Sequence, residues 1–488
     1  MLKIFFKDSI IYTLSAFLSR GLSVFLVPLY TRVLSPADYG SLDFLLIFAS
    51  IVNLTIALEV SQGVARFYTA ESNLEAKIAY ASTGFWFTLV CYSVFALLML
   101  FLSPYVATFI MGGPGHDLAF QIGIAYIWSN GLFYLIQNQF RWEFRSKDFT
   151  VISLLMVLVS AAISVWLAYF QNLGLNGLLI GMTTGCLTVN VLGLYLLRNS
   201  FQCHFDMQRL KEMLSFSTPL IFSGIAVWIT WYVDRLMINY FLSIEQVGLY
   251  GIGFRLASIT VLVIVGFQGA LTPLIYKHYQ NPDTPRKLEQ MFRLFIAFAL
   301  LIFLATVFFA IDILTLMTTP SFYGGADVVI FLVPAILLSN MYIFSPGISI
   351  AKKTHLIIWI NVLAALLNIL LNYLLIPKMG IKGAGMATML SYLVLFSAYT
   401  VVGNRYYPIP HNWGKIFIAV AFAGTLALIV PHLVQNDFLL RALYIAVLCM
   451  FPFMLIAIGL VRRDELSTAW QIVQKKFSST LININIKL

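Results

Sequence analysis

FSTPLIFSGIAVWITWYVDRLMINYFLSIEQVGLYGIGFRLAS, residues 216–258, decides the architecture. Residues 216–241 are a mostly apolar run whose only charges are the adjacent pair Asp234 and Arg235. A helix crossing a bilayer needs about 20 mostly apolar residues, and this run supplies them. The turn that follows, LSIEQVGLY at 242–250, has a counterpart 208 positions earlier, LSPADYGSL at 34–42. That register places Leu34, Ser35 and Gly40 on Leu242, Ser243 and Gly248. Two further pairs keep almost the same spacing. MGGP at 111–114 matches MTTP at 317–320, and LGLNG at 173–177 matches MGIKG at 379–383, each at an offset of 206.

Working outward, fourteen apolar stretches read as membrane spans: 9–30, 41–65, 79–102, 118–139, 149–170, 174–197, 214–241, 247–276, 290–311, 327–350, 355–376, 383–402, 415–433 and 441–461. Spans two, eight and ten are long enough for tilt or a kink, which Pro273, Pro334 and Pro346 favour. The expected fold is an all-α polytopic membrane protein with two parallel six-helix repeats. Residues 1–200 form the N-terminal lobe, 210–403 the C-terminal lobe, 412–462 two additional spans and 463–488 a cytoplasmic tail. Residues 464–480 within the tail read as a surface helix, with Leu466, Trp470, Val473 and Phe477 on one face.

Composition agrees. Hydrophobic residues make up 60% of the 488 and charged residues 10%, against about 45–50% and 25% in soluble domains. A soluble enzyme, a nucleic-acid-binding domain and a disordered scaffold are excluded. With the N-terminus placed in the cytoplasm, 23 of the 30 Lys and Arg fall on that side, 4 on the other and 3 within spans. The asymmetry predicts two cytoplasmic termini. It also accounts for the net charge of +10 without nucleic acid as a partner. Cys91, Cys186 and Cys449 lie in apolar runs, so buried free thiols are expected.

Charges inside spans are costly and mark functional positions by default. Arg20, Glu59, Asp234, Arg235 and Arg255 are of this kind, with Asp43 nearer a span end. An arginine fork binds phosphate bidentately, so Arg20, Arg255 and Arg235 form a candidate anion site. Structural pairing, Arg20 with Glu59 or Asp234 with Arg255, stands as the other reading. Trp228, Trp231 and Arg235 share a helix face at i, i+3 and i+7. They could stack on sugar or simply pack. Asn361, Asn368 and Asn372, and separately Asn130, Tyr134 and Gln137, form polar stripes suited to interhelical hydrogen bonds. No phosphate-binding GxxxxGK[ST] loop and no HExxH occurs, and no external loop is large enough for a polymerase. No catalytic, metal or cofactor machinery is visible.

The segments VPLYTRVLSPADYGSLDF at 27–44, VARFY at 64–68, 216–258 and GIKGAGMATMLSY at 380–392 resemble the oligosaccharide flippase family. These are the O-antigen and capsule repeat-unit flippases of the multidrug/oligosaccharidyl-lipid/polysaccharide flippase superfamily. The resemblance implies a V-shaped two-lobe bundle working by alternating access in the bacterial inner membrane. It implies a cargo of oligosaccharide on undecaprenyl pyrophosphate, within polysaccharide or lipopolysaccharide assembly. Arg20 and Arg255 approximately match the headgroup arginines of spans 1 and 8 in related lipid II flippases. Span 2 departs from them, carrying Asp43 and Glu59 and no mid-span arginine, which favours a different sugar lipid. Coupling to a proton or sodium gradient is implied too, with Glu59 and Asp234 as candidates. Membrane lipids and polysaccharide-assembly proteins are the further expected partners. The rival reading is a multidrug cation antiporter. Its cavity should hold surplus carboxylates, whereas the five in-span charges here sum to +1.

Overall fold

The computed structural model describes residues 26–113, 115–261, 264, 271, 275 and 278–462. Arg20, Pro273, most of the first expected span and the tail from 463 lie outside the described residues. The described residues are helical, with no strand among them. The principal helices are α1 (Val27–Val33), α2 (Pro36–Thr55), α3 (Val60–Ala70), α4 (Leu74–Phe101), α5 (Asp117–Trp142), α6 (Ser146–Val165), α7 (Gly174–Leu196), α8 (Met207–Phe241), α9 (Ile244–Ser258), α10 (Thr284–Phe308), α11 (Val329–Asn340), α12 (Thr354–Met379), α13 (Ile381–Asn404), α14 (Trp413–Ile429) and α15 (Asp437–Ala457). Twelve helical segments among the described residues are long and apolar enough to cross a membrane.

The turns read at 34–42 and 242–250 need correction, because most of each is helix. Ser35 caps α2: its hydroxyl accepts from the Asp38 backbone N–H at 3.1 Å, and Asp38 accepts in return from the Ser35 N–H at 3.2 Å. With Pro36 in the first helical turn, this capping box starts the helix five residues before the expected boundary. The expected span 41–65 is also not one helix. It breaks at Leu58 and Glu59, both left-handed with φ of 50°. Such positions cost of order 1–3 kcal/mol each. The break frees backbone carbonyls, and Leu58 O accepts a hydrogen bond from Ser217 Oγ on α8 at 2.7 Å. No Gly or Pro at 56–59 announces the break.

The chain divides into two compact units. One holds the described residues through Arg255 with Asp312–Val328 and Asn361–Ser391. Its densest packing joins α6 to α7. A Cβ on Gly181 or Gly185 would overlap Ser164 or Ser160, so the backbones touch directly. This is how membrane helices associate without a hydrophobic drive. Phe133, Ile136, Phe140, Phe149, Ile152, Val189 and Leu197 fill the space beside them. Gly174 and Gly380, 206 positions apart, both turn with positive φ, 52° and 61°.

The other unit holds Leu256–Ile311, Val329–Ile360 and the described residues from Tyr392. There α14 and α15 pack on α10. Phe308 stacks on Tyr444 at 4.6 Å, and buried Arg293 donates to both Glu289 and the Leu460 carbonyl. The cysteine expectation is corrected in part. Cys186 is buried, but Cys449 is exposed and Cys91 half-exposed, because their helices turn those faces outward from the protein.

Candidate functional site

α2 and α9 cross at Gly40 and Gly248. A Cβ on Gly40 would overlap the Ile244 carbonyl oxygen and lie 3.0 Å from the Gly248 nitrogen. A Cβ on Gly248 would overlap the Pro36 carbonyl oxygen and lie 3.0 Å from the Gly40 nitrogen. The contact is reciprocal: 36 and 244, like 40 and 248, differ by 208. Around it, Ser41 Oγ donates to Met111 O at 2.7 Å and Thr31 Oγ1 to Met317 O at 3.1 Å.

One helical turn further along, the charges converge. Arg235 on α8 is 5% exposed, and its Nε lies 3.2 Å from Asp43 Oδ2 on α2. The guanidinium sits over Phe254 at 4.4 Å, with Tyr232 at 5.7 Å and Tyr250 at 5.9 Å from the cation. Asp234, also buried, accepts from the Tyr250 hydroxyl and from the Arg235 backbone N–H. The Arg255 guanidinium lies 5.0 Å over Tyr39, and Tyr39 meets Phe322 edge-on at 5.7 Å.

Thus Asp234, Arg235 and Arg255 are brought together around the crossing, and Asp43 joins them. Asp43 was missed as a member because it stands near a span end. The usable signal was its place three residues after Gly40. Trp228 and Trp231 have different surroundings. Trp228 donates to Ser50 Oγ at 2.8 Å and tilts against Tyr232, whereas Trp231 is 44% exposed. Glu59 is elsewhere in the same unit, at the helix break. It lines a cavity of about 10 Å³ with Asn53, Tyr92 and Tyr134, and its Oε2 is buried without a hydrogen-bond partner. Beside it Asn53 donates to Asn130 at 3.0 Å and accepts from Tyr92 at 2.7 Å. The asparagine stripes bond between helices: Asn368 donates to Thr388 and Gln137 to Ser153. Among the described residues no cluster of His, Cys, Asp and Glu is placed to hold a metal ion.

A sequence signature described as "Polysaccharide biosynthesis protein" matches residues 29–324, which contain the whole crossing and its charges. The chain belongs to this family. The resemblance read from 27–44 and 216–258 is thereby borne out at the level of the superfamily. Family relatives include the Lsg locus protein 1 of Haemophilus influenzae, 23% identical over 78% of this chain and 95% of that one. Another is the Haloferax volcanii protein named "Probable flippase AglR", 24% identical over 54% of this chain and 56% of its own. In fold the chain is similar to the lipid II flippase MurJ in an inward closed conformation, with a TM-score of 0.69 at 15% identity over 92% of this chain and 98% of that one. The relatives include proteins named flippases, and this multi-pass membrane protein is a transporter rather than an enzyme.

Proposed function

We propose that the protein is a flippase for lipid-linked glycan. The observation that carries this reading is the family signature lying over a bundle that buries Arg235 and sets the half-buried Arg255 over Tyr39. Buried cations lower the cost of bringing an anionic headgroup across a bilayer, and an arginine fork suits a phosphoryl oxygen. The finer reading keeps the expectations from sequence. The cargo is an oligosaccharide repeat unit on undecaprenyl pyrophosphate, moved across the cytoplasmic membrane by alternating access of two six-helix lobes, with both termini inside. The reciprocal crossing and the paired left-handed glycines at 174 and 380 support a duplicated framework. Arg20, Arg255 and Arg235 contact the headgroup, and Trp228 and Trp231 the sugar. Glu59 and Asp234 take part in proton or sodium coupling.

The test is export. Cells lacking the protein should lose surface glycan, and the parental chain should restore it. Arg20→Ala should fail to restore it at normal membrane abundance, while Arg20→Lys should restore it partly, keeping charge without the fork. Parental export by Arg20→Ala would refute the headgroup role of Arg20. Unchanged surface glycan in the deletion strain would refute the function.

A further inference from the structure

We propose that Arg235 is an anion-exchange site governed by the α2–α9 crossing. Asp43 occupies it while the crossing is closed, and a phosphoryl oxygen takes Asp43's place when the N-terminal end of α2 parts from α8 and α9. The identity of the cargo rests on the flippase reading; the exchange itself does not.

The first support is how poorly the buried pair is satisfied. Arg235 Nε and Asp43 Oδ2 are 3.2 Å apart and shut off from solvent, yet neither takes part in a hydrogen bond. Their contact is coulombic without alignment. Arg293, buried to the same 5%, is bonded at 2.7 Å to Glu289 and also to a backbone carbonyl. A buried ion pair repays its desolvation only when hydrogen bonds complete it. The Arg235–Asp43 pair lacks that completion, so Asp43 is replaceable by an acceptor that fits the fork better.

The second support is where each partner is anchored. Arg235 is held from α8 against Phe254 and Tyr250, both on α9. Asp43 comes from α2, which meets α9 at the glycine crossing. α2 also meets α8, where Trp228 donates to Ser50 Oγ, so withdrawing Asp43 requires the N-terminal end of α2, from Pro36 to Asp43, to part from α8 as well as α9 while Arg235 stays against α9. Gly251, packed directly against Asp43, has no side chain to hold it, and an added Cβ would crowd Oδ2 at 3.1 Å. The formal charges of Asp43, Asp234, Arg235 and Arg255 sum to zero. Without Asp43 they sum to +1, and Asp234 stays committed to Tyr250. A cluster that becomes cationic only on opening selects an anion at that moment. The shared chemistry of such an anion is the phosphoryl group.

The experiment uses the full chain in phosphatidylcholine nanodiscs, with Cys91, Cys186, Cys203 and Cys449 replaced. Spin labels at Ala37→Cys and Glu245→Cys, on the first turns of α2 and α9, report the crossing by pulsed electron resonance. The parental chain should show mainly one short distance, and inorganic pyrophosphate should populate a longer one. Asp43→Asn should raise the long-distance fraction without ligand by about tenfold. Arg235→Gln should abolish the response to pyrophosphate. Should that variant fail to fold, Arg235→Lys should fold and need about tenfold more pyrophosphate. An unchanged distance in Asp43→Asn, or a parental response in both Arg235 variants, overturns the proposal. Opening by phosphatidylglycerol discs alone, with no further effect of pyrophosphate, also overturns it by assigning the anion to bulk lipid. A chain that opens as expected but exports no glycan in cells upholds the exchange and refutes the cargo.

Discussion

Gly40→Ala places the crossing under direct load. The new methyl would overlap the Ile244 carbonyl oxygen and stand 2.9 Å from its carbon and 3.0 Å from the Gly248 nitrogen. Ordinary contact requires about 3.5–4.0 Å, so the helices must separate by at least roughly 0.5–1 Å. The obstruction is backbone and cannot rotate away. Overpacking of this kind costs about 1–3 kcal/mol, here toward the upper end. Alanine returns up to about 1 kcal/mol of helix propensity. The net loss is therefore about 1–2 kcal/mol, or roughly 5–30-fold in the closed crossing's favourable ratio. Gly424→Ala in α14 supplies the control, because its Cβ would meet nothing within 4 Å. It should gain the propensity term alone. Apparent melting in one detergent, followed by size-exclusion fluorescence, should rank Gly424→Ala above the parent and Gly40→Ala below it. Gly248→Ala should match Gly40→Ala, because the two contacts mirror each other. The double variant should cost clearly less than the sum, since the first methyl already parts the helices that the second would push. Parental or higher stability in Gly40→Ala, or simple additivity in the double variant, would refute the reciprocal backbone contact.

Three further outcomes are expected. Asn53→Ala removes the bond to Asn130 and strands the Tyr92 hydroxyl, so it should destabilise by about 1–3 kcal/mol, read as a lower melting midpoint. His411, in the loop before α14, packs against Phe292 at 4.6 Å and Trp413 at 5.0 Å, and burial pushes its pKa down to about 4. The unfolded chain then binds the extra proton between about pH 6.5 and 4, so stability should fall as pH falls through that window. His411→Gln should flatten the slope, and an unchanged slope would exclude His411 as its source. Reporters fused after 205 and after 488 should read cytoplasmic and one after 112 external, as the charge asymmetry requires.

The spans were legible because a bilayer permits few solutions: long apolar helices announce themselves in composition alone. The crossing was half legible. The register at 208 paired Gly40 with Gly248 on sequence grounds, but nothing in the letters says that the paired residues touch. The start of α2 was encoded in Ser35, Pro36 and Asp38, a capping box that reads equally well as a turn. The break at Leu58 and Glu59 was not legible. Neither residue favours a left-handed backbone, and the bond from Ser217 that stabilises the break comes from 159 positions away. The ion-pair partner of Arg235 was hidden for the same reason. Asp234 is adjacent in sequence, yet it turns to Tyr250, and the ion pair forms with Asp43 from another helix.

The framework and the chemistry follow different rules in this chain. At the crossing three pairs of residues 208 apart are the same, Leu34 and Leu242, Ser35 and Ser243, and the touching Gly40 and Gly248. Among the charges they never are. Asp43 corresponds to Gly251, Arg235 to Val27, Asp234 to Leu26 and Arg255 to Ile47. A backbone contact between equivalent helices requires small residues on both sides, because either Cβ would clash. A buried charge carries no such requirement, and repeating it would double the desolvation cost. A second Asp at 251 would also bring two carboxylates together against one Arg235, since even a Cβ there would come to 3.1 Å from Asp43. One aspartate on α2 and one arginine on α8 instead make a pair that parting the N-terminal end of α2 from α8 and α9 breaks in a single step. That asymmetry on a symmetric crossing is what an opening that exposes one cation to one anion requires.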